Sequence, residues 1–167
     1  MSPRLTLPLL LSVGIAAAAY ADIIANLKPF ANPSGFAKTY SAAGDINTTN
    51  PFFQSLGSNG RSCVTCHDPA AGFSITPPLI RKQFDDTVGL HPLFRLVDGA
   101  NSPLADVSTP QARLTAYSML LNKGVIRIGL PIPANAEFEL AGVDDPYRFA
   151  SAQELSLFRR PLPASSP

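Results

Sequence analysis

Cys63-Val64-Thr65-Cys66-His67 gathers both cysteines of the chain and one of its two histidines into a single pentapeptide. A C-x-x-C-H run has the spacing that attaches a c-type haem. The chemistry explains that spacing. Two thiols can add across the two vinyl groups on one edge of a porphyrin when a helical turn brings both sulfurs to that edge. The residue that follows then lies under the ring, where its imidazole can bind iron as the proximal ligand. Other chemistries share the residue types. A structural zinc site draws four ligands, usually from two such pairs, and the sequence has no second pair. A thioredoxin-like dithiol belongs in a strand-helix-strand setting that the surrounding residues do not suggest. A plain disulfide is the ordinary use of two cysteines in an exported protein.

A haem iron has a second axial position, and few residues here could fill it. Met119 and His91 are the candidates; a thioether opposite histidine raises the reduction potential, and a second imidazole generally lowers it. Met119 lies near Ala112 and Ala116 at helical spacing, small neighbours that would let a helix approach the ring. Methionine also fills core gaps, and His91 before Pro92 reads equally as a surface histidine. Water or an open position is the third alternative. Arg61, Arg81, Arg95 and Arg127 are candidates by position for pairing with the haem propionates, although the ordinary reading of any one of them is a solvated surface charge.

The amino terminus agrees with covalent haem, which is attached outside the cytoplasm in bacteria. Arg4 is a short positive region, residues 5–19 are apolar, and Ala19-Tyr20-Ala21 satisfies the small-x-small cleavage rule. Residues 1–21 are therefore expected to be a signal peptide, cleaved before Asp22, and the location to be periplasmic. The apolar run is shorter than the roughly 20 residues of a membrane span, so stable membrane insertion is not expected. The chain has 167 residues, 13 Lys and Arg against 12 Asp and Glu, and 17 prolines. This balance lacks the basic excess of nucleic-acid binding, and the prolines imply many fixed loops around short helices.

The hydrophobic pattern and the haem motif together lead to the expectation of a mainly α, cytochrome c-like haem-binding domain with long Pro-rich loops and a small two-stranded ribbon. Residues 22–49 read as an amino-terminal arm, loose or with one helical turn, followed by a mono-haem domain over 50–163 and a tail at 164–167. Pro51 predicts a helix start, with Phe52, Phe53 and Leu56 on its apolar face. A second helix is predicted over 77–86, capped by Thr76, with Ile80 and Phe84 on one face. Residues 87–108 form a long irregular segment of the kind that packs on a ligand. The clearest helix spans 110–122, capped by Thr109 and stopped by Gly124, with Leu114, Tyr117 and Leu121 forming one stripe. Residues 125–130 and 137–143 alternate like the two strands of a ribbon. Ser151 and Glu154 form a capping box for a last short helix ending near Arg159.

Asn50-Pro51-Phe52-Phe53 through Asn59-Gly60-Arg61-Ser62-Cys63 to His67 resembles one branch of the bacterial di-haem cytochrome c peroxidase superfamily. So do Pro92-Leu93-Phe94-Arg95, Asp98-Gly99-Ala100-Asn101-Ser102-Pro103, Ala116-Tyr117-Ser118-Met119-Leu120-Leu121, Asp144-Asp145-Pro146-Tyr147 and Phe158-Arg159-Arg160-Pro161-Leu162-Pro163. Members of that superfamily carry a second C-x-x-C-H in another half, and one haem feeds electrons to the other during peroxide reduction. The resemblance therefore implies one of two things: a truncated or partner-completed peroxidase, or a one-haem module used for electron transfer.

Three functions follow as expectations. The first is a periplasmic one-electron carrier with one covalently bound haem c, exchanging electrons with redox-protein donors or acceptors. The second is a peroxidase-like subunit completed by a second haem-bearing polypeptide. The third is a haem-based sensor of a small ligand.

Overall fold

A computed structural model of the chain describes residues 23–164. The expected signal peptide and the last tail residues lie outside the described residues. The fold is mixed rather than mainly α. Among the described residues, three short α-helices stand beside three separate antiparallel strand pairs, and much of the chain between them is irregular but packed.

The helices follow the hydrophobic pattern most closely. Helix α1, Pro77–Thr87, begins on two prolines after Thr76 and buries Ile80 and Phe84, the i, i+4 face its sequence predicts. The predicted helix over 110–122 forms as two, α2 (Pro110–Ala116) and α3 (Ser118–Lys123), broken at Tyr117. The cause is Asn101. Its amide donates to the Thr115 carbonyl (3.2 Å) and to Ser118 Oγ (2.8 Å), and its Oδ1 accepts from Met119 N–H (3.1 Å). Asn101 N–H itself donates to the Ala116 carbonyl at 2.7 Å. One inserted side chain thus satisfies the backbone groups that the break releases.

Several predicted elements take another form. Residues 51–54 make turns, with Phe53 and Gln54 N–H donating to the Asn50 and Pro51 carbonyls, and no helix follows. The side chain of Asn50 competes directly, accepting from Phe52 N–H at 2.9 Å. The amino-terminal arm is paired rather than loose: β1 (Ile23–Ile24) joins β4 (Ile46–Asn47), and β2 (Phe30–Asn32) forms a hairpin with β3 (Gly35–Ala37). Asn32 Nδ2 ties this hairpin to the Ala70 carbonyl at 2.8 Å.

The ribbon near the carboxyl end also changes partner. Strand β5, Ile126–Leu130, pairs with β6, Leu155–Arg159, and not with residues 137–143. Ser151 and Glu154 do form a local box, with Glu154 N–H donating to Ser151 Oγ and each backbone N–H bonding the other's carbonyl. Closed in both directions, that box is a tight turn, and it delivers an extended strand instead of opening a helix. Leu155-Ser156-Leu157-Phe158 alternates well enough to continue that way.

One apolar core joins these parts. Ile75, Ile80, Phe84, Leu93, Phe94, Ala100, Ala116, Tyr117, Leu120 and Leu121 are all buried in it. The irregular segment between α1 and α2 therefore supplies core residues rather than only covering a ligand. Cys66 and Ile126 pack against the edge of this core, which fixes the pentapeptide between the core and the β5–β6 ribbon.

Candidate functional site

The pentapeptide folds as a 3-10 turn over Cys63–Thr65 that runs on into His67. Cys66 and His67 N–H both donate to the Cys63 carbonyl, at 3.1 and 3.0 Å, so the first cysteine and the histidine are one turn apart. Ser62 N–H donates to Thr65 Oγ1 at 3.0 Å and closes the start of the turn. Both cysteines are free thiols, Cys63 exposed and Cys66 half-buried. Among the described residues no group of three or more His, Cys, Asp or Glu side chains could hold a metal ion.

His67 is held by its own loop. Nδ1 lies 2.9 Å from the Phe73 carbonyl. A carbonyl only accepts, so Nδ1 is the donor, and in the neutral ring this tautomer leaves the lone pair on Nε2. This is the tautomer a metal-binding histidine adopts when its second nitrogen donates to a backbone carbonyl. The loop that presents this carbonyl is tightly folded. Asp68 N–H donates to the Ser74 carbonyl and Phe73 N–H to the Asp68 carbonyl, both at 2.8 Å. Gly72 (φ +64°) and Phe73 (φ +56°) both take left-handed backbone. Glycine does so freely, whereas phenylalanine is strained there by about 1–2 kcal/mol. Burial of the Phe73 ring, edge-on to Phe52 and Phe53 with centroids 5.9 and 6.3 Å away, offsets that strain.

The same loop ties down the end of the described chain. The Phe73 carbonyl also accepts from Ala164 N–H at 3.0 Å, and Ser74 Oγ donates to the Pro161 carbonyl at 2.6 Å. A cavity of about 640 Å³ lies between the pentapeptide and this end segment. Cys63, Cys66 and His67 line it with Phe52, and so do Ile126 and Ile128 of β5 and the run from Arg159 to Ala164. The volume lies within the roughly 300–1,000 Å³ of small-molecule and cofactor sites.

Arg61 joins the site from beside the turn. Its Nη1 pairs with Asp98 Oδ2 at 2.7 Å, and its Nη2 lies 3.5 Å from Cys66 Sγ. Burial pushes the Cys66 thiol above its ordinary pKa, opposed by the Arg61 guanidinium. Asp98 Oδ1 is buried with no hydrogen-bond partner.

The remaining sequence candidates are placed elsewhere. Arg81 bonds Asn122 Oδ1, and Arg95 donates to the Asn59 carbonyl at 2.9 Å. Arg127 is 4% exposed, bonds the Val97 carbonyl, approaches Glu154 at 3.5 Å and lies over the Phe149 ring. Met119 sits half-buried on α3, and His91 lines a separate cleft with Val64 and Thr65 on its other wall. His91 Nδ1 accepts from Leu93 N–H at 3.2 Å, and burial holds its pKa below the usual histidine value. Neither Met119 nor His91 lines the cavity around the thiols.

Four contributors carry no mark as site residues in the sequence reading. Phe73 acts through its carbonyl, which a side-chain pattern does not display. Asp98 sits in an irregular segment whose only signal is one carboxylate. Arg159 and Arg160 show as a charged doublet, and they reach the cavity from the end of β6 and the residue just after it. The chain matches no protein-family model, no curated protein and no solved structure.

Proposed function

We propose that Cys63 and Cys66 attach one haem c covalently, that His67 binds its iron, and that the protein carries single electrons outside the cytoplasm. The observation that carries this reading is the Nδ1 bond from His67 to the Phe73 carbonyl, which leaves Nε2 available on the turn that bears both free thiols. The residues present fit the group: two thiols, one imidazole oriented through Nδ1 by the Phe73 carbonyl, and a largely apolar cavity of suitable size. A bound haem supplies one-electron chemistry at iron. The Phe73 carbonyl makes the His67 ring a stronger donor and fixes its orientation. Phe52 and the β5 isoleucines give the cavity its apolar lining. Redox proteins acting as donor or acceptor would dock where the cavity opens.

A second reading is a peroxidase-like unit that works with a second haem-bearing polypeptide. The position of Met119 and His91 away from the cavity favours it, because it leaves the far axial side to water, substrate or another chain.

Absorption spectra of protein made in a maturation-competent host test both readings. Covalent haem survives acid-acetone extraction and runs with the denatured chain as one added haem mass. A six-coordinate low-spin iron with slow peroxide reduction supports the carrier. A five-coordinate iron and fast turnover only with a second haem protein would support the alternative, and complete extraction of the haem would overturn both.

A further inference from the structure

The part of the cavity lining supplied by the end of β6 and the residues after it carries charge of one sign. Arg159 and Arg160 line it, and no carboxylate does among its described lining residues. Strand register explains why Arg159 faces inward. It pairs directly with Ile126, and directly opposed residues share a face of a ribbon; Ile126 and Ile128 already line the cavity. Arg160 follows the last residue of β6 and so escapes strand alternation. Each guanidinium is anchored by one backbone carbonyl: Arg159 Nη1 to Phe158 at 3.0 Å, and Arg160 Nη2 to Lys123 at 2.7 Å. Neither has an ion-pair partner among the described residues, and each keeps further N–H groups to donate.

The cavity therefore joins an apolar floor to two cationic forks at its rim. That is complementary to a flat apolar ligand with carboxylates on one edge. Of the four arginines that position in the sequence singles out, Arg61 is occupied by Asp98, and Arg81, Arg95 and Arg127 are bonded away from the cavity. We infer that Arg159 and Arg160 form the carboxylate subsite of this cavity and hold the two propionates of the porphyrin. The inference rests on the haem reading above.

The test uses the full apo chain, with iron-free protoporphyrin and its dimethyl ester as probes followed by porphyrin fluorescence. The diacid should bind about tenfold tighter than the diester, each exposed arginine contributing about threefold. Arg159→Gln and Arg160→Gln should each reduce that preference by about threefold, and the double variant should abolish it. Lysine at both positions should restore part of it, and Lys82→Gln should leave it unchanged. The wild-type comparison of diacid with diester needs no variant and stands even if a variant fails to fold. Equal binding of the two porphyrins by the wild type, or a diacid preference surviving in the folded double variant, would overturn the subsite. Binding of neither porphyrin would overturn the haem reading and the subsite together.

Discussion

Gly99→Ala should be among the most damaging single-atom additions to this protein. A Cβ at Gly99 would lie 2.7 Å from the Leu93 carbonyl oxygen, 2.9 Å from Arg95 N and 3.0 Å from Arg95 O. All three are backbone atoms, so no side-chain rotation relieves the contact. The backbone cannot easily withdraw either. Gly99 and Ala100 N–H both donate to the Arg95 carbonyl at 2.8 and 2.9 Å, and Leu93 and Phe94 are buried in the core. Overpacking of this kind costs about 1–3 kcal/mol, and a clash on both sides of a bonded turn belongs at the upper end, about 3 kcal/mol. Gly72→Ala is the matched control. Nothing lies within 4 Å of a Cβ there, so only left-handed backbone (φ +64°) is penalised, about 1 kcal/mol. Urea unfolding followed by circular dichroism, fitted with a common m-value, measures both. Gly99→Ala should also displace Asp98 from Arg61 and so loosen the support beside Cys66. A Gly99→Ala cost equal to or below that of Gly72→Ala would refute the packing argument.

Asn101→Ala removes three hydrogen bonds at the α2–α3 break and should destabilise the chain by about 2–3 kcal/mol in the same unfolding assay, with Asn101→Asp recovering little because it loses both amide donations. Asp145 accepts from Ala150, Tyr147 and Phe149 N–H, and these bonds hold its carboxyl below the usual aspartate range. A depressed folded pKa contributes stability that is present above about pH 3.9 and lost as pH falls through the folded value. Asp145→Asn should therefore flatten the fall of Tm between about pH 5 and 2. Cys66→Ser should leave a single thioether through Cys63, so that the pigment stays on the denatured chain with a shifted spectrum; complete loss of pigment would show that Cys63 cannot attach haem alone. Amino-terminal sequencing of exported protein should begin at or near Asp22, and recovery of an intact Met1 in the membrane fraction would count against cleavage.

Local arrangements that depend on neighbours in sequence are legible without the fold. Cys63, Cys66 and His67 are bound to one turn by their spacing, and the turn forms as that spacing requires. Helix α1 was legible for the same reason: Thr76, two prolines, and Ile80 with Phe84 one turn apart are local signals that the core reinforces. The elements that the tertiary structure redirected are those whose local signals were weak or divided. The box at Ser151 and Glu154 suits a helix start or a tight turn equally, and pairing with β5 decides for the turn by satisfying the backbone of residues 155–159. Residues 110–122 carry helical spacing throughout, yet Asn101, many positions upstream, can complete the hydrogen bonds of a break and so makes one possible. The mainly α expectation fails because strand pairs between distant segments leave little periodic trace in short strands.

The site divides along the same line. Residue types and spacing placed two thiols and an imidazole on one turn. Which nitrogen of His67 stays free, and which arginines reach the cavity, were settled by the Phe73 carbonyl and by the register of β6 against β5. Both are long-range or backbone contacts. Their partners are fixed only when the chain closes on itself, because a carbonyl has the same chemistry in every residue and a strand's facing side depends on the strand it meets.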